Sequence, residues 1–277
     1  MNKTKILIIG ILLCAVTSTA AQEYSWKAIN VDGSRTGCTT PDKNNVAEAA
    51  GYLKGGKYYA PNGKVFKAGS SATKTAAVVI DAQPAMARVK EVIGYSPVVM
   101  TTHRPESGLS NMAIDVIMNK VADLSGKEVH MGVTNFGGIR ANMPEGNILL
   151  DDMLSMFPFK NYVVYVEHKG STIRKMLEEM AARRFHVLGG VRIVAEDGKL
   201  VSVELGGKPL DDNKTYGVAT ISFLLDGGDG LALRNDAVSM IEFPEVDIID
   251  AILEYVYAET AAGRPIEYKE DGRIVIR

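Results

Sequence analysis

Cysteine is nearly absent from this chain: Cys14 and Cys38 are its whole complement. Cys14 falls in an N-terminal stretch that reads as a removable leader. One thiol then remains, and no intramolecular disulfide can form even in an oxidising compartment. Stability must come from a packed core, with Cys38 expected as a small buried residue. Histidine is also scarce. His103, His130, His168 and His186 stand in no His-x-His, Asp-x-His or Asn-His pair, so the clustered ligands of a dinuclear metal centre are not expected. His103, beside Arg104, could touch an anion, and the other three are expected on the surface or in strands. There is no Gly-x-Ser-x-Gly elbow, Walker loop, Cys-x-x-Cys pair or Rossmann fingerprint. Gly55-Gly56-Lys57 lacks the flanks of a phosphate loop and reads as a turn. Excess charge of one sign is missing too. The formal net charge of -2 gives no basic surface for nucleic acid and no cationic membrane-binding face.

Apolar residues are plentiful: 46% of the chain is hydrophobic, enough for one sizeable core with a small extra lobe. Lys3 and Lys5 precede an apolar run from Ile6 to Val16, and small residues follow from Ser18 to Ala21. This three-part pattern reads as a secretory signal peptide over residues 1–21, too short to span a bilayer. Leu13 before Cys14 argues against lipidation, so no membrane anchor is expected. Cleavage removes two lysines and no acid, moving the charge from -2 to -4. The product is expected to be exported, to the periplasm or the exterior.

Residues 22–82 show little periodicity and read as a lead-in with one hairpin, turned by Asn62-Gly63. The main domain is expected over 83–277. Met86 to Tyr95 reads as its opening strand, followed by a helix capped by Ser107 that buries Leu109, Ala113, Val116, Ile117 and Val121. Glu128 to Thr134 and Tyr162 to Glu167 read as strands, with a short helix from Asp151 to Met156 between them. Ser171 to Arg184 is an amphipathic helix whose methionines fill core. Asp197-Gly198 joins Val191–Glu196 to Leu200–Leu205 as a hairpin. Thr215 to Ser222 is a strand, Val246 to Ala261 a closing helix, and Arg273 to Ile276 an edge strand. Hairpins mixed with helices point to the α+β class.

The alternation of Val129, Met131 and Val133 breaks into Asn135-Phe136-Gly137-Gly138-Ile139-Arg140. Paired glycines let a backbone approach a ligand, Asn offers an amide for reading a base, and Arg a forked cation. By itself the stretch is also compatible with a plain turn. Three further stretches join it: Arg104-Pro105-Glu106-Ser107-Gly108-Leu109-Ser110-Asn111, Met156-Phe157-Pro158-Phe159-Lys160-Asn161, and Ser222-Phe223-Leu224-Leu225-Asp226-Gly227-Gly228-Asp229-Gly230. In this order the four resemble the C-terminal, substrate-specificity domain of the 5'-nucleotidase family, from about Met86 to the chain end.

That resemblance implies a layered α/β/β/α domain of mixed sheets with hairpins. It implies that Phe159 and Phe223 clamp a base, that Asp229 accepts the hydroxyls of a ribose diol, and that Asn135 bonds the base. Gly137 and Gly138 would allow close backbone approach, while Arg140 and Arg104 would reach the sugar and phosphate. Without the motif match, both phenylalanines would be read as core residues. Lys160, where the family usually has glycine, and Leu188, before Gly189, depart from the pattern and leave base preference open. The resemblance further implies an adenosine- or AMP-like ligand. It places no catalytic residue, metal or other cofactor in this chain; divalent metals would belong to a separate metallophosphatase chain that supplies hydrolysis. A solo nucleoside-binding or sensing protein, or a relic whose pocket binds nothing, remain the other readings.

Overall fold

The computed structural model describes residues 50–82 and 88–277. The expected signal peptide, Cys38 and the start of the strand expected at Met86 lie outside them. The chain divides into two compact units at Ile80/Asp81.

In the first unit, β1 (Tyr52–Lys54), β2 (Lys57–Tyr59) and β3 (Val65–Phe66) form an antiparallel meander. Gly55 and Gly56 turn β1 into β2 with φ of 56° and 72°, the left-handed pair that a tight hairpin needs. Tyr52 stacks on Tyr59 at 4.8 Å and Tyr58 on Phe66 at 5.8 Å. Helix α1 (Ser71–Ala82) follows, with the Ser70 hydroxyl accepting from the Thr73 amide at 3.2 Å. A three-stranded sheet and a helix thus stand where only a hairpin was expected. The run of Ala and Val in α1 hides its period, while Ser70 supplies the cap.

The second unit begins with β4 (Val92–Ser96), preceded by a 3-10 turn at Arg88–Lys90 in place of the longer strand expected. Helix α2 (Gly108–Ser125) is capped as its sequence suggests. Ser107 Oγ accepts from the Ser110 amide at 3.2 Å, Ser110 Oγ accepts from the Ser107 amide at 2.9 Å, and Gly126 ends the helix at φ 63°. There follow β5 (Met131–Thr134), β6 (Gly146–Leu149), α3 (Leu150–Met156), β7 (Tyr162–Lys169), α4 (Gly170–Ala182), β8 (Val187–Gly189), β9 (Val191–Glu196), β10 (Lys199–Leu205), β11 (Lys208–Pro209), β12 (Thr215–Ile221), β13 (Ser239–Asp247), α5 (Ile248–Ala261) and β14 (Ile274–Ile276).

A five-stranded sheet runs in the order β13-β7-β12-β5-β8, with only β12 and β5 parallel. A second sheet runs β11-β10-β9-β14, with β14 parallel to β9, and β4 pairs with β6. The class is α+β with mixed sheets, as the sequence indicates. Asp197 and Gly198, at φ 48° and 72°, make the β9–β10 turn. Strand β13, which takes Val246 and Asp247 from the expected helix, was not foreseen. Its register slips between Phe243 and Asp247, across Pro244, which lacks the amide a continuous ladder uses. Strand β8, three residues long, was also missed.

Helix α2 sets the depth of the core. Leu109, Met112, Ala113, Ile114 and Val121 have no exposed surface, and burying each of the larger side chains contributes about 1.5–3 kcal/mol. Gly132 on β5 sits opposite Gly189 on β8. A Cβ on Gly132 would lie 2.6 Å from Ile114 Cγ1, and one on Gly189 2.5 Å from Met118 Sδ. Paired glycines therefore form the trough in which α2 lies. Leu188 beside them is buried in this core, while Lys160 is exposed.

Candidate functional site

Strands β5 and β12 are parallel neighbours, with Met131 opposite Val218 and Gly132 opposite Ala219. Their C-terminal ends therefore release two loops at one edge of the sheet, the usual place for a ligand beside parallel strands. The antiparallel partners begin at the same edge. Val163 of β7 pairs with Ile221, which brings the Phe-Pro-Phe corner alongside, and Val187 of β8 pairs with Thr134. Segments far apart in sequence meet here because of strand order.

Asn135 directly follows β5 and caps a 3-10 turn at Phe136–Gly138. Its side-chain Nδ2 donates to Asp229 Oδ2 at 2.7 Å, joining the two loops directly. The residue is buried, and its Oδ1 has no hydrogen-bond partner. Gly138 folds tightly under it: a Cβ there would lie 2.9 Å from Asn135 Oδ1. Gly137 is exposed, with room for a Cβ 3.7 Å from Asp229 Oδ2.

Asp229 is exposed and adopts φ 48°, ψ 26°, left-handed backbone that Asp tolerates better than most residues. Gly228 before it has no alternative. A Cβ would fall 2.0 Å from the Phe223 carbonyl oxygen, so glycine lets the loop fold back on Phe223. The loop is braced by amides of Leu233 and Arg234 donating to the carbonyls of Leu224 and Leu225 at 3.0 and 3.1 Å. Arg234 adds ion pairs to Asp226 at 2.8 Å and to Glu242 of β13 at 3.1 Å.

Phe159 and Phe223 are 47% and 44% exposed, far from the core burial that either would show as packing residues. Phe157 fills the core instead. The Arg140 amide donates to the Met156 carbonyl at 2.8 Å, and its guanidinium lies 5.9 Å from the centre of the Phe159 ring. Arg104 lies over the Phe136 ring at 4.3 Å and donates to the Phe185 carbonyl. Burial, and then the charge of Arg184, lower its pKa, while Asp229 acts in the opposite direction. All the residues singled out in the sequence, Arg104, Asn135, Gly137, Gly138, Arg140, Phe159, Phe223 and Asp229, are on loops at this edge.

His103 pairs with Glu270 at 2.9 Å. His168 is buried on β7, and His186 is buried just before β8. Burial first, then the charge of Arg104, lower the His186 pKa. Sequence reasoning assigned no role at the site to Phe136 or Arg184, and His186, expected on the surface or in a strand, is instead buried just ahead of one. Only the adjacency of Phe136 to Asn135 could have pointed to the first, and nothing short of strand pairing to the others. Among the described residues no group of three or more His, Cys, Asp or Glu could hold a metal ion. No helix there is long and apolar enough to cross a membrane.

Comparison with known proteins agrees with this layout. Protein UshA of Yersinia enterocolitica is 34% identical over 52% of this chain and 27% of its own length. A 5'-nucleotidase of Vibrio cholerae is 29% identical over 58% of this chain and 30% of its own. The chain thus spans between a quarter and a third of these relatives. The crystal structure of a 5'-nucleotidase precursor from Thermus thermophilus shares the fold, with a TM-score of 0.64 at 24% identity, covering 79% of this chain and 48% of that one. The profile of the family described as 5'-nucleotidase, C-terminal domain matches residues 80–235. Because that match takes in more than half of the chain, this protein belongs to the 5'-nucleotidase C-terminal domain family.

Proposed function

We propose that this chain is an exported, substrate-binding half of a 5'-nucleotidase-type phosphoester hydrolase, with metal-dependent hydrolysis supplied by a separate metallophosphatase chain. The observation that carries the reading is the 2.7 Å bond from Asn135 to Asp229, flanked by two half-exposed phenylalanines. Phe159 and Phe223 offer faces for a purine or pyrimidine, and base–aromatic stacking contributes about 1–3 kcal/mol per base. With Nδ2 engaged, Asn135 presents Oδ1 as an acceptor, and Asp229 presents a carboxylate to vicinal hydroxyls. Arg104 and Arg140 supply cations for a phosphate.

Calorimetric titration of the mature chain with adenosine and AMP tests the site. Saturable binding that Phe159→Ala and Asp229→Ala each weaken supports it; binding indifferent to both would refute it. Adding a metallophosphatase encoded beside this chain tests the division of labour. Complex formation with a change in nucleotide turnover is expected, and neither occurring would leave a nucleoside-binding protein without a hydrolytic role.

A further inference from the structure

The residues Arg183-Arg184-Phe185-His186 precede β8 and belong to none of the motifs above. The last ladder pair between β5 and β8 is Thr134 with Val187, so the next residues outward are Asn135 and His186. Opposed residues of an antiparallel pair project to the same face, about 5 Å apart. His186 is 6% exposed, and its Nδ1 is buried without a partner, like Oδ1 of Asn135. The carbonyl before it, on Phe185, accepts from Arg104.

The charges of three groups act on this imidazole: Arg104 from the loop before α2, Asp229 from the loop after β12, and Arg184 from its own segment. Arg184 is exposed and makes no hydrogen bond or ion pair among the described residues, and its charge acts against that of Arg104. The only carboxylate of the group already accepts from Asn135. Two guanidinium groups against this single carboxylate leave the group net positive, and that excess charge and the unpaired buried nitrogen are both unfavourable. One ligand group relieves both: an anion with several acceptor oxygens.

Building on the nucleotide-binding reading above, we propose that Arg184 and His186 contact the ligand and form, with Arg104, a phosphate subsite that favours phosphorylated over free nucleosides. The electrostatics give this subsite a proton signature. Burial, then Arg104, hold the His186 pKa below its ordinary value, with Asp229 opposing and Arg184 reinforcing, which favours the neutral imidazole in the free protein at neutral pH. A docked phosphate raises that pKa. Binding therefore takes up a proton, and affinity for the phosphate rises as pH falls through the interval between the free and bound values. The free ligand's second ionisation, near pH ~6, is common to every titration, and because cations favour the dianion it opposes proton uptake there, so the His186 signature is read above that pH.

The test is calorimetric titration of the mature chain with AMP and with adenosine, across pH ~5.5 to ~8 in buffers of differing ionisation enthalpy. Wild type, Arg184→Ala and His186→Gln are compared. The AMP-to-adenosine affinity ratio is expected to fall about two- to fivefold in Arg184→Ala, the size of an exposed ion pair. In His186→Gln the ratio falls at least as far and AMP-linked proton uptake disappears, while adenosine affinity changes by less than about twofold. An unchanged ratio in both variants, or equal losses for both ligands, would overturn the subsite. Should His186→Gln fail to fold, Arg184→Ala at its exposed position decides the matter. Wild-type protein that binds neither ligand overturns the nucleotide reading and the subsite together. Adenosine binding sensitive to Phe159→Ala with an unmoved ratio overturns the subsite alone.

Discussion

Arg273 and Arg104 hold the same short stretch of backbone, the first donating to the Leu188 carbonyl at 3.2 Å and the second to that of Phe185. Their surroundings otherwise differ. Arg273 has 7% of its side chain exposed and meets both oxygens of Asp115 at 2.9 and 3.1 Å and both of Asp271 at 3.1 and 2.9 Å. Burial opposes its charge, but these carboxylates more than offset that, and its pKa is raised. Arg104 has no carboxylate within ion-pair distance among the described residues; it lies on an aromatic face with Arg184 as an unfavourable neighbour. The first cluster is closed on itself, the second open. Closed polar networks hold a fold, whereas an open one at a loop edge has donors and acceptors left for something else.

The comparison breaks most readily at Arg273. Arg273→Ala removes the buried guanidinium from Asp115 and Asp271, whose side chains are 29% and 43% exposed and stay partly hydrated, and is expected to cost about 3 kcal/mol in denaturant unfolding. A loss below ~1 kcal/mol would mean that closure does little for the fold. On the open side the effects should move from stability to binding. Phe159→Ala and Phe223→Ala are each expected to weaken adenosine binding by about 1–3 kcal/mol, with the melting temperature nearly unchanged because both rings are half exposed. A fall in melting temperature without a loss of binding would reassign them to packing.

Gly228→Ala sharpens the same point from the backbone. With a Cβ placed 2.0 Å from the Phe223 carbonyl, the loop must shift, and adenosine binding should weaken about as much as on deleting the Phe223 ring, ~1–3 kcal/mol. Titration of the folded variant checks it.

The smallest effect belongs to a cluster that is closed but lies near the surface. Hydrogen bonds from Lys127 at 2.8 Å and Ser239 at 2.6 Å hold the Glu167 carboxyl down from 4.5 to about 2. A depressed carboxylate stabilises the fold above its unfolded pKa, and that contribution is lost as pH falls from 4.5 toward 2. Glu167→Gln should therefore lower stability in the neutral range, leave it almost unchanged near pH 2, and flatten the acid limb between. Acid titrations of wild type and variant that superimpose would show that closure without burial carries little.

Elements with strong local signals were legible before the structure. Ser107 and Ser110 box the start of α2, Asp197-Gly198 turns β9 into β10, and Leu109 to Val121 lie on a buried face. Short or interrupted strands were not: β8 has three residues, and β13 carries Pro244. Helix α1 was lost in a stretch poor in long side chains. Within the candidate site, the glycines, phenylalanines and Asp229 stood out only through motifs that resemble a known family; by themselves they read as turn and core residues. His186 and Arg184 did not, because an Arg-Arg-Phe-His run has no local oddity.

The sequence by itself determined the class of the fold, the family and the loops that carry the candidate site. The class resides in turn chemistry, caps and periodic burial, and the family and its loops in four short motifs that resemble known relatives; each acts over a few residues. Only the tertiary structure decided which of those loops meet. The parallel pairing of β5 with β12 brings Asn135 to Asp229, and the antiparallel pairing of β8 with β5 sets His186 next to them. Strand order is fixed by packing across the whole domain, through α2 in its glycine trough, and no stretch of sequence near any one of these residues contains it.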